Sequence, residues 1–241
     1  MDYSGWIEAV CTLLEVPVTN ASSATPSSDT FFNTIYPSAI TYAEERIQRE
    51  LDLINTLVTD NSGSTTANTR KFTLPADAGT FIVVQQGALI VNGVRQPPML
   101  PVSREFLDFC YPAETAPTTP SYPTYWCPND GVSILLGPAP DSAYSCEIVG
   151  TIRVPPLSAS NTSNFLTVEL ADLYVAASMV FFSAYRMDFG AQSSDPTIAT
   201  SWETQYTTLR DGATVEEARK KFRSIGNSSR QPYPTTGGVA N

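Results

Sequence analysis

The stretch PSAITYAEERIQRELDLINTLV, residues 37–58, decides the first part of the fold. Its apolar residues recur every three or four positions, which is typical of an α-helix with one buried stripe. They are Ile40, Ala43, Ile47, Leu51, Ile54 and Val58. Two oppositely charged pairs at four-residue spacing add to the helix signal. They are Glu45 with Arg49 and Arg46 with Glu50. The spacing predicts a long amphipathic helix that begins at Pro37.

A shorter helical pattern precedes this stretch. Asp2 is a possible cap, Pro17 is a stop, and the apolar residues between them fall at helical spacing. These are Ile7, Val10, Leu13 and Leu14. Residues 19–30 then contain no large apolar side chain, so we expect a linker or an extended polar arm there.

The middle of the chain has the pattern of short strands. After a polar loop at residues 61–69, strands are predicted by β-type runs that proline and glycine interrupt. The runs are residues 71–74, 80–85, 88–94, 122–127, 132–136 and 143–153. Asn92-Gly93 favours a hairpin turn. Ser103 is expected to cap a short helix whose Phe106, Leu107 and Cys110 pack inward.

The last third returns to helix. One apolar stripe predicts the most buried helix of the chain. It consists of Leu170, Leu173, Ala177, Val180, Ala184 and Met187. Ser194-Asp195-Pro196 predicts the start of the next helix, and Gly212 predicts its end. Thr214 and Glu217 form a capping-box pattern for a further helix that would stop at Gly226.

These patterns together predict an α+β fold, with a helical bundle formed by the N- and C-terminal helices and a β-rich insertion. Four divisions are expected along the chain. They are residues 1–60 with the N-terminal helices and the polar arm 19–30, residues 61–156 as the β-rich insertion, residues 157–226 with the C-terminal helices, and residues 227–241 as an extended tail.

Composition narrows the classes of function. The 241 residues include no histidine, which removes His-based triads and imidazole zinc sites. The 14 basic and 24 acidic residues give a net charge of −10, which argues against general affinity for nucleic-acid phosphates or anionic membranes. No apolar stretch is long enough to span a membrane, and no secretory signal is evident, so a reducing cytoplasm is expected.

The four cysteines include no C-x-x-C pair, so buried free thiols are expected. They are Cys11, Cys110, Cys127 and Cys146. Four acids crowd the long helix, where paired carboxylates can serve glycoside hydrolysis or a hard metal ion. They are Glu44, Glu45, Glu50 and Asp52. The interleaved Arg46 and Arg49 favour a solvated helix face instead. The chain also lacks the common nucleotide-binding and nucleophile motifs. We predict no catalytic, cofactor or metal site.

Two other clusters have alternative interpretations. Tyr122, Tyr125 and Trp126 fit either an aromatic binding platform or core packing. The basic residues near the C-terminus fit either a phosphate contact or cations at a helix C-terminus. The tail behind them has almost nothing to bury and is expected to become ordered on a partner.

The order of segments resembles the head-to-tail connector (adaptor) proteins of tailed bacteriophages and gene transfer agents. The matching segments lie between Tyr36 and Leu209. They are YAEERIQREL from Tyr42, LPAD from Leu74, Pro123-Thr124-Tyr125, GPAP from Gly137 followed by Tyr144, Pro156-Leu157-Ser158, Asn164-Phe165-Leu166 and the apolar helix from Leu173. Phe165 stands where the family often has tryptophan, and the polar arm is unusual.

This resemblance implies a structural virion protein rather than an enzyme. It implies a homododecamer ring under the portal that links head to tail, binds a downstream tail or nozzle protein, and lines the channel for DNA ejection without specific binding. It also implies that the C-terminal segment contacts the portal. The residues expected at that contact are Arg219, Lys220, Lys221, Arg223, Arg230 and Tyr233. The alternatives are a tail-completion or tail-terminator ring protein, and a carboxylate-dependent cell-wall hydrolase of the virion.

Overall fold

A computed structural model of the chain describes residues 1–112, 120–185 and 196–224. Within these ranges six α-helices and eight β-strands are present, which confirms the α+β class. The helices are α1 (Tyr3–Leu14), α2 (Thr30–Glu50), α3 (Arg104–Cys110), α4 (Phe165–Glu169), α5 (Ala171–Tyr185) and α6 (Pro196–Ser224). The strands are β1 (Leu57–Ser64), β2 (Lys71–Thr73), β3 (Thr80–Val91), β4 (Val94–Pro98), β5 (Leu100–Pro101), β6 (Tyr125–Asp130), β7 (Ser133–Gly137) and β8 (Ser145–Arg153).

Helix α1 begins where the sequence predicted. The Asp2 side chain accepts a hydrogen bond from the Gly5 backbone N–H, which satisfies one of the unpaired amides at the helix start. The predicted stripe residues Ile7, Val10 and Leu14 are buried, and so are Tyr3 and Trp6. The expectation that Leu13 belongs to this stripe is wrong, since its side chain lies off the stripe and is 43% exposed.

Residues 19–30 connect α1 to α2 and pack against the helices, so of the two predicted alternatives the linker is correct and the extended arm is wrong. The Ser27 hydroxyl donates to the Pro17 carbonyl at 2.6 Å, and the Asn33 amide donates to the Ser27 carbonyl at 2.7 Å. Tyr36 also donates its hydroxyl hydrogen to the Ala24 carbonyl. Although the arm has no large apolar side chain to bury, its backbone carbonyls accept hydrogen bonds from side chains. Those bonds order it.

Helix α2 is shifted toward the N-terminus relative to the prediction. It begins at Thr30, where the Asp29 side chain accepts from the backbone N–H groups of Phe31 and Phe32, and it passes through Pro37. It ends at Glu50, so the rest of the predicted stripe lies in a 3₁₀ turn and in β1. Proline is favoured at a helix start, but here the aspartate cap sets the beginning seven residues earlier.

Two four-stranded sheets form the middle of the molecule. The first sheet has the order β1-β8-β3-β4 and the second has the order β2-β7-β6-β5. Their facing sides contribute to one core, in which Phe72 and Leu136 of the second sheet join Leu89 and Ile148 of the first. Strand β3 is continuous through Gly87, where two strands were predicted, and the hairpin turn at Asn92-Gly93 is confirmed by positive φ at both residues.

Strand β1 continues into the region that was predicted to be a polar loop. Asp60 lies opposite Ile148, and after a bulge Gly63 lies opposite Cys146. Strand pairing uses backbone groups, so a polar run can extend a strand when its neighbour is available. A Cβ at position 63 would overlap the Phe72 ring of the second sheet, which explains glycine at this close approach.

Helix α3 covers the outer side of the second sheet. Ser103 caps it as predicted, and Leu107 packs on Cys127 and Leu135. The expectation that Phe106 and Cys110 also pack inward is wrong, because both are exposed. A seven-residue helix lying on a flat sheet can bury only a narrow stripe.

Helix α5 contacts α1, α2, α4 and α6. Its buried residues include Leu173, Tyr174 and Ala177, and the Trp6 indole N–H donates to Ser178 Oγ at 3.1 Å. The predicted residues Ala184 and Met187 lie outside the side chains that the structure describes.

Helix α6 is one continuous helix, so the predicted stop at Gly212 and the new start at Thr214 are wrong. Glycine inside a helix costs only about 1 kcal/mol, and the ion pairs of α6 described below offset such a cost. The Thr214 hydroxyl donates back to the Arg210 carbonyl at 2.9 Å instead of capping a helix start. The predicted stop at Gly226 lies outside the described residues.

Candidate functional site

The carboxylate of Glu44 is a buried junction between three parts of the chain. Its residue is only 5% exposed, so the interpretation of Glu44 as part of a solvated face is wrong. Its Oε1 atom accepts from the Leu157 backbone N–H at 2.9 Å, from the Asn164 side-chain amide at 2.9 Å and from the Tyr174 hydroxyl at 3.2 Å. These bonds join α2 to the connection after β8 and to α5.

Burial dominates the acid–base properties of this junction. Desolvation raises the pKa of Glu44 to about 7, although all three hydrogen bonds favour the ionised form and oppose the shift. The pKa of Tyr174 is also raised, first by its own burial and then by the neighbouring charge of Glu44. The Glu44 carboxyl therefore titrates near neutral pH, and its residue lies in the interior.

A second network ties α2 to α6. Arg46 donates to both carboxylate oxygens of Glu203 and to Glu50 Oε1, and its guanidinium lies 4.0 Å from the centroid of the Tyr206 ring. Glu50 Oε2 accepts from the Tyr206 hydroxyl and from Arg210, both at 3.1 Å. The Arg46 bonds hold the pKa of Glu203 below its usual value. The two i,i+4 pairs predicted on α2 are confirmed.

The basic end of α6 is anchored on acidic residues of the same chain. Lys220 contacts Glu217 at 2.8 Å, Glu169 at 3.1 Å and Glu216 at 3.2 Å, and these partners raise its pKa, with Glu217 having the largest effect. Lys221 pairs with Asp52. The second oxygen of Glu217 accepts from the Ile54 backbone N–H at 3.0 Å. This end of α6 is therefore fixed to the connection between α2 and β1.

The residues predicted to contact a portal thus fall into three groups. Lys220 and Lys221 already have carboxylate partners. Arg219 is exposed and forms no ion pair with the described residues. The side chain of Arg223, and Arg230 and Tyr233, lie outside the part of the molecule that the structure describes. The portal contact of these six residues stays a prediction.

Ion pairs within the chain involve nearly all of the described basic side chains. Among the described side chains, every lysine and arginine except Arg219 lies within 4 Å of a carboxylate of the same chain. By contrast, several acids form no ion pair with the described residues, among them Glu8, Glu15, Asp77 and Asp172. The described part of the protein therefore offers little free positive charge to phosphate groups, and the net charge of the chain is negative.

The aromatic cluster favours the core interpretation. Trp126 is buried, and its indole N–H has no hydrogen-bond partner among the described groups. The Tyr122 ring packs edge-on against Tyr144 at 5.7 Å. Tyr122 and Tyr125 are both half-buried, and the Phe106 ring lies against Tyr125 at 5.6 Å. Of the cysteines, three are buried free thiols as predicted, but Cys110 is exposed.

No cluster of three or more His, Cys, Asp or Glu side chains within the described ranges is arranged to hold a metal ion. Two other acids of the predicted cluster pair with basic side chains: Glu45 of α2 with Arg49 and Arg153, and Asp52, which follows α2, with Lys221. In the same described ranges, no helix is long and apolar enough to cross a membrane.

The buried role of Glu44 was not predicted, because only the charges of the helix residues were considered and not their positions relative to the apolar stripe. Its position carried a signal, since Glu44 lies four residues after Ile40 and three before Ile47, within the apolar stripe itself. An ionisable residue in such a stripe predicts a buried and hydrogen-bonded group. Arg70 is a second buried charge, fully enclosed, which donates to the Leu136 and Tyr111 carbonyls and to Asp108.

Comparison with known proteins adds one match. A family model described as SU10 adaptor protein matches residues 1–230. No curated protein matches the chain.

Proposed function

The chain belongs to the SU10 adaptor protein family, and we propose that it acts as a head-to-tail connector of a tailed bacteriophage. The family is one of structural virion components, and the match covers nearly the whole chain. In this proposal twelve copies form a ring under the portal, bind a tail or nozzle protein below, and surround the path of the DNA. The proposed role is structural, and the protein converts no substrate.

The observation that supports the channel role is that the basic side chains form ion pairs within their own chain. A wall with free lysines and arginines would hold DNA phosphates, because each neutralised phosphate adds binding free energy through counterion release. Here the described cations other than Arg219 already pair with carboxylates of their own chain, and the net charge is −10. Such a surface repels the DNA backbone and lets it slide.

We further propose that the end of α6 presents the C-terminal segment to the portal. Lys220 and Lys221 hold this helix end on Glu169, Glu217 and Asp52, so the segment leaves from a fixed point. Arg219, exposed on the same helix end, is the cation within the described residues that remains available to a partner carboxylate. Arg223, Arg230 and Tyr233 extend this contact in the proposal.

Imaging tests the position of the protein. Cryo-electron microscopy of virions that carry this chain should show a ring between the portal and the tail, into which the two sheets and six helices fit. A ring at the far end of the tail, or at the tail tube, would instead support the tail-terminator alternative. Absence of the chain from the head-to-tail junction would refute the connector function.

A binding experiment tests the portal contact. Deleting residues 227–241 should weaken binding to purified portal rings while leaving the far-UV circular dichroism spectrum unchanged. Arg219→Glu should weaken binding in the same direction, and Arg49→Glu, which reverses an exposed charge on α2, is the matched control. Equal portal binding by the intact and the truncated protein would refute the C-terminal contact but not the ring.

A further inference from the structure

Among the large apolar side chains that are exposed in the described residues, two groups form patches. The aromatic patch consists of Leu100, Phe106 and Phe109, and the sheet patch consists of Leu57, Ile82 and Val83. Large apolar side chains grouped in this way mark interaction surfaces more often than chance exposure.

The aromatic patch is continuous. Phe109 is 88% exposed, and it lies two residues beyond the buried Leu107, about 200° around the helix, so it points away from the second sheet. Phe106 lies one turn before Phe109 and packs edge-on against Tyr125. Leu100 lies beside the same Tyr125 in the pairing of β5 with β6. The three side chains form a raised surface on α3 and the adjoining sheet edge.

The sheet patch is flat. Leu57 of β1 and Val83 of β3 both lie opposite Thr151 of β8, so they flank one residue on the same face of the first sheet. Ile82 is the extra residue of the bulge between Phe81 and Val83, and it is 55% exposed. Phe81 points to the core side, which places the patch on the outer side of the first sheet.

The two patches lie on opposite sides of one stack of layers. The order is α3 with the aromatic patch, the second sheet, the first sheet, and then the sheet patch on the outside. This follows because Leu107 packs on the outer side of the second sheet, whereas the inner sides of both sheets share the core. Head-to-tail association of identical subunits joins two different surfaces of the chain, and two apolar patches on opposite flanks fit this geometry.

We propose that the aromatic patch of one copy packs on the sheet patch of the next copy. The inference deepens the proposed ring function, on which it rests, by naming the two surfaces through which neighbours meet. Each patch exposes on the order of 300 Å² of apolar side chain, taking about 200 Å² for a whole aromatic side chain. The areas match, and each supplies the apolar centre of an interface that buries roughly 800 Å² per partner.

Charge does not supply the attraction between copies. Basic side chains near the patches are paired within the chain: Arg153 with Glu45, and Arg104 with Asp108. The cations of these pairs are already neutralised by carboxylates of the same chain, so they do not attract an acidic partner. Two copies of the chain, each with net charge −10, repel each other at long range. Apolar contact must therefore provide the attraction, and the interface should tighten as salt screens the repulsion.

Sedimentation velocity of the full chain tests the contact, using one variant for each patch. Phe109→Asp breaks the aromatic patch, and Val83→Asp breaks the sheet patch. Phe222→Asp and Val168→Asp change exposed apolar residues outside both patches and are the matched controls. Each patch variant should weaken self-association on the order of a hundredfold, because a carboxylate would lose water without a partner. Both controls should associate like the wild type.

Mixing the two patch variants distinguishes head-to-tail contact from a symmetric one. Phe109→Asp keeps an intact sheet patch and Val83→Asp keeps an intact aromatic patch, so an equimolar mixture should form dimers but nothing larger. The inference is overturned if the mixture behaves like the separate variants, or if either variant associates as the wild type does. It is also overturned if the wild type stays monomeric at about 1 mM, where even weak specific contacts are populated.

Raising NaCl from about 0.05 to 0.5 M should strengthen wild-type association, whereas weakening would indicate an ion-paired interface and overturn the inference. The proposed function has its own separate outcome, since it fails only when virions show no ring at the head-to-tail junction. A ring in virions together with unaffected variants would therefore reject these surfaces and keep the connector function.

Discussion

Glu44→Gln is expected to stabilise the protein at pH 8 and to have little effect near pH 4.5. Burial raises the pKa of Glu44 from its usual 4.5 to about 7, so the folded chain binds a proton that the unfolded chain has released between these two values. Where the folded state binds more protons, the free energy of unfolding falls as pH rises. Over the 2.5 pH units the loss amounts to about 3 kcal/mol.

Glutamine keeps the oxygen that the three donors need but cannot ionise. At pH 8 the variant should therefore recover up to about 3 kcal/mol of unfolding free energy relative to the wild type. Glu44→Ala removes the acceptor, leaving Leu157 N–H, the Asn164 amide and the Tyr174 hydroxyl unpaired in the interior. It should be destabilising by about 3 kcal/mol even at pH 4.5.

Urea denaturation at pH 4.5, 6 and 8, followed by the fluorescence of the buried Trp6 and Trp126, measures these differences. Glu45→Gln, on the same helix, controls for the loss of one unit of net charge, and its pH dependence is subtracted. If Glu44→Gln shifts the free energy of unfolding equally at all three pH values, the assignment of a near-neutral titration to this junction is refuted.

Three further substitutions test the remaining buried and capping interactions. Arg46→Lys should cost about 2 kcal/mol in urea denaturation, because an ammonium loses the two-pronged bond to Glu203 and the stacking on Tyr206; an unchanged midpoint would contradict this. Arg70→Met should cost about 3 kcal/mol or more, since two carbonyls lose their donors, and a stable variant by thermal denaturation would argue against the buried network. Asp29→Ala should cost about 1 kcal/mol and lower the helical circular dichroism signal, because the cap of α2 is lost; a helix that starts at Pro37 would show no change.

The fold class was predictable because periodicity reports which face of an element is buried. The helix and strand patterns located α1, α5, β2, β7 and β8, but they divided β3 and α6 and did not include β5 and α4. The Asp2 cap and the Asn92-Gly93 turn were correct in detail. These features depend on neighbours in sequence, so local chemistry determines them.

Most of the errors have a different cause. The passage of α6 through Gly212 and the packing of residues 19–30 depend on contacts between residues that are separated in sequence. The start of α2 depends instead on a local residue, the Asp29 cap, which the apolar pattern does not include. In a helix interior glycine costs about 1 kcal/mol and proline about 3 kcal/mol, and tertiary packing can offset these costs. Glu217 illustrates the point, because it fitted a capping box in sequence but binds the Ile54 backbone, 163 residues away.

The pairing of cations within the chain bears on the connector function that we propose for this strongly acidic protein. An excess of carboxylates repels neighbouring copies and DNA alike, so subunit contacts and DNA passage make opposite demands on charge. Ion pairs within each chain favour DNA passage, because the surface keeps its negative charge and has few free sites for phosphate. Subunit contacts must then use apolar surface. The exposed Phe109 and Val83, on opposite flanks, provide such surface in the contact that we propose.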